Sequence, residues 1–461
     1  MAMDWNTLLC TERPRKSTNP PGDARAEFER DYDRTIFSSP VKRLQDKAQV
    51  FPLDPNDAVR TRLTHSLEVS AVSRGLGIAI GQWLLEEKII ELGMERSIEA
   101  ICSTCGLVHD LGNPPFGHSG EDAIRYWFGT RFDKKTRELH KKLSDDEQLA
   151  QDFLNFEGNA QSLRLLTKLQ ILADFNGLNL TYGTLSASCK YIAPSHQVDK
   201  KENHAKAKPG YFASENQVVD TIRKKTGTGF ARNPLTYLVE AADDMVYSVA
   251  DIEDAIKKGI VSWPEIKHLL ESDDASQTEA VDRMEYILKA GKDQIPTGLT
   301  DDIYASAFRT ASINVGVRSV IQAFKSNYEK IMDGEYTSEL AKDCDARSLI
   351  KKLKQIGQEQ VYCTPSNLKL ELMGRKVICD LMDIFWEGAE SIPIDGHPNS
   401  KKFEGKAGAL LSRNYRRVFH QSVKDLPELP ETYHRLQLVT DYVCGMTDSF
   451  AKRLHTELMN G

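Results

Sequence analysis

Apolar positions recur close to every 3.6 residues along most of this chain, which predicts a largely helical protein. Between residues 57 and 90 the stripe runs Val59, Leu63, Leu67, Val69 and Val72, then Leu76, Ile80 and Leu84. Asn56 and Asp57, following Pro55, are the expected cap of that helix. Ile98 to Val108 predicts a second helix, which must stop where Gly112, Pro114 and Pro115 forbid its continuation. Ser119, with Asp122 three residues on, has the form of a capping box opening a third. His118 then falls immediately before a helix N-terminus, where free N–H groups and the helix dipole favour an anion.

The pattern breaks between 190 and 233. Lys190, Lys200, Lys201, Lys206, Lys208, Arg223, Lys224 and Lys225 alternate there with Pro194, Pro209, Gly210, Gly227 and Gly229. This predicts a loop-rich excursion near 180–230 with short strands around 181–192 and 211–213, either solvated or folded over a site to meet phosphate. Beyond about residue 265 the helical period returns, with loops expected near 292–299 and 391–407. The fold class expected is mostly α.

A chain of 461 residues exceeds one ordinary hydrophobic core, so two lobes or an extended helical body are expected. The boundary is placed at 1–265 for a catalytic core and 266–461 for a C-terminal helical region. The formal net charge is −7, which argues against a general nucleic-acid footprint. Cys102 and Cys105 form a C-x-x-C, but no second pair completes a zinc site, and their apolar run predicts buried small hydrophobes. No stretch has the form of a signal peptide or a membrane span, so a cytoplasmic protein with reduced thiols and no membrane partner is expected.

Candidate chemistry gathers on His65, the pair His109-Asp110, and Asp243. Two imidazoles and two carboxylates suit Mg²⁺ or Mn²⁺, and Fe²⁺, Co²⁺ or Zn²⁺ also fit, with positions left for water and phosphate. On a regular helix the His109 and Asp110 side chains diverge by about 100°, so both reach one ion only where the helix is ending. Asp243 borders an apolar stripe through Val239, Val246 and Ala250, whereas Asp244 falls with Glu240, Ser248 and Asp251 on the face expected to be wet. A carboxylate bordering the core needs a partner, and a metal supplies one. Tyr247 and Asp251 lie one and two turns after Asp243 on the same side. His118 and Glu121, three apart, form a candidate acid and its orienting carboxylate. There is no P-loop and no G-x-S-x-G.

The longer motifs are narrower. RLQDKAQVFP (43–52), RTRLTHSLEV (60–69), HDLGNPPFGHSGE (109–121), EAADDMVY (240–247) and DYVCGMTD (441–448) resemble the deoxyguanosine triphosphate triphosphohydrolase family of the HD-domain superfamily. The resemblance implies an HD-domain helical fold with a C-terminal helical extension. It implies hydrolysis of dNTPs, dGTP favoured, to deoxynucleoside and inorganic triphosphate, with His65, His109, Asp110 and Asp243 as metal ligands and His118 and Glu121 as the catalytic pair. It also implies substrate contacts from Gln49, Arg43, Arg62, Lys190, Tyr191, Lys208, Tyr247 and Asp251, with Tyr247 disfavouring a 2′-hydroxyl. Homo-oligomers, hexamers or tetramers, and single-stranded DNA or dNTP effectors are implied too. Two basic clusters, Lys134-Lys135-Arg137-Lys141-Lys142 and Arg413-Arg416-Arg417, could meet DNA, although solvated helix faces are the better explanation of such charge patterning. Another HD-type nucleotide phosphohydrolase (a phosphodiesterase or 5′-nucleotidase) and a dNTP- or DNA-binding sensor remain as alternatives.

Overall fold

Helices carry nearly all the structure, a computed structural model that describes residues 2–17, 23–53, 56–132, 139, 143, 147–171, 174–271 and 274–459. The principal ones are α1 (Arg62–Glu86), α2 (Met94–Val108), α3 (Gly117–Arg131), α4 (Pro234–Lys257), α5 (Asp301–Ser326), α6 (Arg347–Ile356), α7 (Pro365–Glu390), α8 (Arg413–Asp425) and α9 (Glu431–Cys444). The mostly α expectation holds.

Helices α1 and α2 form the tightest pair, and Gly106 shows why. A Cβ at Gly106 would lie 2.7 Å from the Ser70 Cα, so only glycine lets the two backbones approach this closely. Helix α4 packs against α1, α2, α5 and α6 and is buried on nearly every side, so most of its polar residues sit in the interior. Asn233 caps it by accepting from the Leu235 N–H, with Pro234 in the first turn. Two apolar clusters result. One draws on residues between Met3 and Val361, including α1, α2, α4 and α5, and the other on residues between Val41 and Ala451, including α3, α7 and α9. No helix among the described residues is long and apolar enough to cross a membrane.

Several local expectations need correction. The first long helix starts at Arg62, not near 57. Thr61 is its cap, exchanging hydrogen bonds with Thr64, because the Arg60 N–H is drawn away to Asp254 at 3.0 Å. Asn56 instead accepts from Ala58 in a preceding turn, and Pro55 lies outside the described residues. Helix α3 opens at Gly117 without a Ser119 box. Phe116 precedes it at φ 64°, its N–H held by Asp448, so His118 stands inside the first turn. The segment expected as a strand around 181–192 contains a helix, Tyr182–Ser188, because Thr181 caps it by accepting from Thr184 at 3.2 Å. The strands are β1 (Ala193–Pro194) and β2 (Pro209–Tyr211), paired in parallel. The stretch 391–407 is not loop throughout, since Phe403–Leu410 is helical.

Candidate active site

A cavity of about 560 Å³ opens where the end of α2, the start of α3, the middle of α4 and the 187–208 segment meet. At its floor the structure brings together His65 from α1, His109 from the end of α2 and Asp243 from α4. The Asp243 Oδ1 lies 3.1 Å from His65 Nε2 and 3.4 Å from His109 Nε2. His109 Nδ1 donates to the Gly106 carbonyl at 2.7 Å, which orients the ring and turns Nε2 toward Asp243. That Nε2 is buried. Burial alone would lower the His109 pKa, yet the Asp110 and Asp243 carboxylates overcome it and hold the value up at about 9. Asp243 is held well below the usual carboxylate range against its burial, chiefly by His109. Two imidazole nitrogens converging on one carboxylate oxygen, in surroundings that attract a cation, fit a divalent metal ion.

Asp110 sits beside this trio and faces elsewhere. Its Oδ1 is 3.7 Å from His109 Nε2 and accepts from the Asn113 amide at 2.7 Å, while Oδ2 pairs with Arg62. Burial would raise the Asp110 pKa, but Arg62 holds it near 2. Arg62, expected to reach phosphate, is therefore already engaged. The same holds for the other cations lining the cavity. Lys208 pairs with Glu157 at 3.1 Å, Lys354 with Asp244 at 2.7 Å, and Lys190 lies 3.8 Å from both Glu240 and Asp243. An incoming polyanion would compete with carboxylates for each of them.

His118 stands at the cavity wall with its side chain 82 % exposed, and Nδ1 lies 3.0 Å from Glu121 Oε2. Glu121 is buried behind it and accepts from the Gly158 N–H at 2.8 Å. A Cβ on Gly158 would come within 2.2 Å of Asn113 Oδ1 and 2.8 Å of Glu121 Oε1, so a larger residue there would have to displace one of these side chains. The hydrogen bond that His118 donates to Glu121 raises the His118 pKa, and Glu121 itself is lowered despite its burial.

Gln49, Tyr191, Tyr247 and Asp251 also line the cavity. Arg43 does not. It donates to the Tyr415 hydroxyl at 3.3 Å and the Gly445 carbonyl at 3.2 Å, bracing the N-terminal segment against the C-terminal helices. Asp244 is another correction. The sequence pattern puts it on a wet face, but that face of α4 is interior: Glu240, Ser248 and Asp251 are all buried, and the Asp244 side chain is only 15 % exposed against Lys354.

Sequence reasoning missed the residues that the C-terminal half contributes. Lys354, Tyr362, Asn367 and Glu371 line the cavity, and the Tyr362 hydroxyl donates to Asp251, whose pKa burial pushes up to about 7. They sit in no motif, and only the tertiary fold brings them here. It also missed the bracing role of the last motif. Asp448 accepts from the N–H groups of both Ala48 and Phe116 at 2.9 Å, tying the Gln49 wall to the start of α3. Lys47 donates to the carbonyls of Asn113 at 2.6 Å and Cys444 at 2.8 Å. Cys102 and Cys105 are buried, as expected, and burial raises the Cys102 thiol to about 12.

A helical body in which histidines and aspartates from separate helices converge at a cavity floor is the arrangement of an HD-domain hydrolase. The HD domain family matches residues 62–165, and a phosphohydrolase-associated domain matches residues 340–457. A deoxyguanosinetriphosphate triphosphohydrolase-like protein of Listeria innocua is 36% identical over 467 residues, covering 99% of both chains. A deoxyguanosinetriphosphate triphosphohydrolase of Yersinia enterocolitica is 32% identical over 511 residues, again covering 99% of each. The chain belongs to the deoxyguanosine triphosphate triphosphohydrolase-like family of HD-domain hydrolases.

Proposed function

We propose that the protein hydrolyses deoxynucleoside triphosphates, dGTP among them, to the deoxynucleoside and inorganic triphosphate. The convergence of His65, His109 and Asp243 beside the His118–Glu121 pair supports this reading most strongly. A divalent ion, Mg²⁺ or Mn²⁺ by preference, would be held by His65, His109 and Asp243 with Asp110 alongside. Once bound it polarises a phosphoryl oxygen and lowers the pKa of water.

The chain's own residues account for the rest. Lys190 and Lys208 exchange their carboxylate partners for phosphate oxygens, and Arg62 does so at the edge nearest Asp110. His118, charged on both nitrogens, keeps Nδ1–H on Glu121 and gives the Nε2 proton to the 5′-oxygen, which leaves as a water oxygen bonds to the α-phosphorus. Tyr247 packs against the deoxyribose where a 2′-hydroxyl would stand, and Gln49 meets the nucleotide from the opposite wall. The region after residue 265 closes the cavity through Lys354 and Tyr362.

The test of substrate class is a rate comparison of the four dNTPs and GTP with Mn²⁺ or Mg²⁺. Turnover of one or more dNTPs well above GTP is expected, and Tyr247→Ala should narrow that gap. Equal turnover of GTP and dGTP by the unaltered enzyme would reject the deoxyribose assignment.

A further inference from the structure

A second concavity, of about 640 Å³, lies against helix α8 and the 394–397 turn. Arg413, Arg416, Arg417 and Lys424 line it from the helix, joined by His420 and His397. Its cations differ from those of the active-site cavity in one respect. There each lysine or arginine has a carboxylate partner. Here Arg413, Arg416, Arg417 and Lys424 make no salt bridge within the described residues, and Asp395 is the sole carboxylate on the wall. Asp425, at the end of the helix, takes a hydrogen bond from Gln421 instead.

The groove is built rather than merely solvated. Arg416 is partly buried, and its Nε is enclosed with no hydrogen-bond partner among the described residues. His420 donates Nδ1–H to the Ile394 carbonyl at 2.7 Å, which sets the turn against the helix and leaves Nε2 without a partner among the described residues. Burial lowers the Arg416 pKa, with Arg413 adding to it, and burial, Lys424, His397 and Arg416 together lower His420. Mutual repulsion of this kind, in a protein of net charge −7, is relieved by an anion.

We infer that this groove is a binding site for an anion made of several linked phosphates, an inorganic oligophosphate such as triphosphate. The size of the charged row excludes a lone phosphate as its full occupant, because Arg413 and Lys424 lie eleven positions apart on the helix, about 16 Å. No Phe, Tyr or Trp lines the wall, so the broad ring platforms on which single-stranded nucleic acid stacks are missing, and only the imidazoles of His397 and His420 accompany the cations. Guanidinium groups supply the bidentate fit to phosphate oxygens. This site is separate from the proposed reaction and stands whether or not that reaction does.

Calorimetric titration of the full-length protein with inorganic triphosphate tests it, with R413E/R417E and R416Q as variants. Both mutated positions of the double variant are exposed, so an unchanged thermal unfolding midpoint is expected. If the double variant does not fold, Arg417→Glu alone serves. The expected result is one triphosphate site per chain fewer in the double variant than in the unaltered protein, with a loss of roughly tenfold or more in affinity at that site in R416Q. Binding should weaken steeply between about 50 mM and 200 mM salt. Equal site number and affinity in the unaltered and variant proteins would overturn the proposal. So would capture of a thymidine oligonucleotide, abolished by R413E/R417E, with no triphosphate bound at the same positions.

Discussion

His118 Nδ1 lies 3.0 Å from a Glu121 oxygen, with the imidazole exposed to the cavity and the carboxylate buried behind it. The pairing matters because it sets the charge of the histidine. The Glu121 bond holds the His118 pKa above its ordinary 6.5. An acid that must be protonated to act loses activity as pH rises through its own pKa. Removing the Glu121 charge takes away the raising contribution, so the alkaline limb of the pH–rate profile should move to lower pH in Glu121→Gln. His118→Ala should cut turnover by roughly 10²–10⁴-fold with metal content unchanged. An unmoved alkaline limb in Glu121→Gln would show that His118 is not the titrating acid.

The convergence of His65, His109 and Asp243 makes metal retention the second expectation. His65→Ala, His109→Ala and Asp243→Ala should each purify with less divalent metal by elemental analysis and lose turnover. A chelator should inactivate the unaltered enzyme, and added Mn²⁺ or Mg²⁺ should restore it. Asp244→Ala should keep its metal, since that carboxylate faces Lys354 at 2.7 Å. Full metal retention in Asp243→Ala would argue against the ligand set.

Asp448→Ala should destabilise the protein although it touches no substrate. The substitution leaves the Ala48 and Phe116 N–H groups without their charged acceptor, and each such bond is worth about 1.5–3 kcal/mol. A lower thermal midpoint is expected, together with a raised KM because the Gln49 wall loosens. An unchanged midpoint would refute the bracing role.

Gly106→Ala joins stability to the site. Its new Cβ would stand 2.7 Å from the Ser70 Cα, and overpacking of this kind costs about 1–3 kcal/mol. The same residue's carbonyl orients the His109 ring, so metal affinity should fall with stability. Stability lost with metal affinity intact would uncouple the two.

Much of this site was legible in the sequence because its chemistry sits in contiguous motifs. His65 and Arg62 share one helical turn, and His109 to Glu121 is one unbroken run. Helix class followed from the apolar period, but boundaries did not. Thr61 displaced Asn56 as cap because Arg60 is drawn into a tertiary network with Glu68, Glu253 and Asp254. Asp244 was misplaced because α4 is buried on nearly all sides, so its polar face carries no information about solvent. Arg43 was assigned to the nucleotide by resemblance, yet its partners Tyr415 and Gly445 are about 400 residues away, beyond any local pattern. The Lys134–Lys142 basic cluster lies outside the described residues.

Product identity tests the central claim most directly. The purified enzyme, incubated with dGTP and Mn²⁺ or Mg²⁺, would be resolved by ion-exchange chromatography. Deoxyguanosine and inorganic triphosphate in equal amounts are expected. Deoxyguanosine monophosphate with pyrophosphate, or stepwise release of orthophosphate, would contradict the proposed reaction.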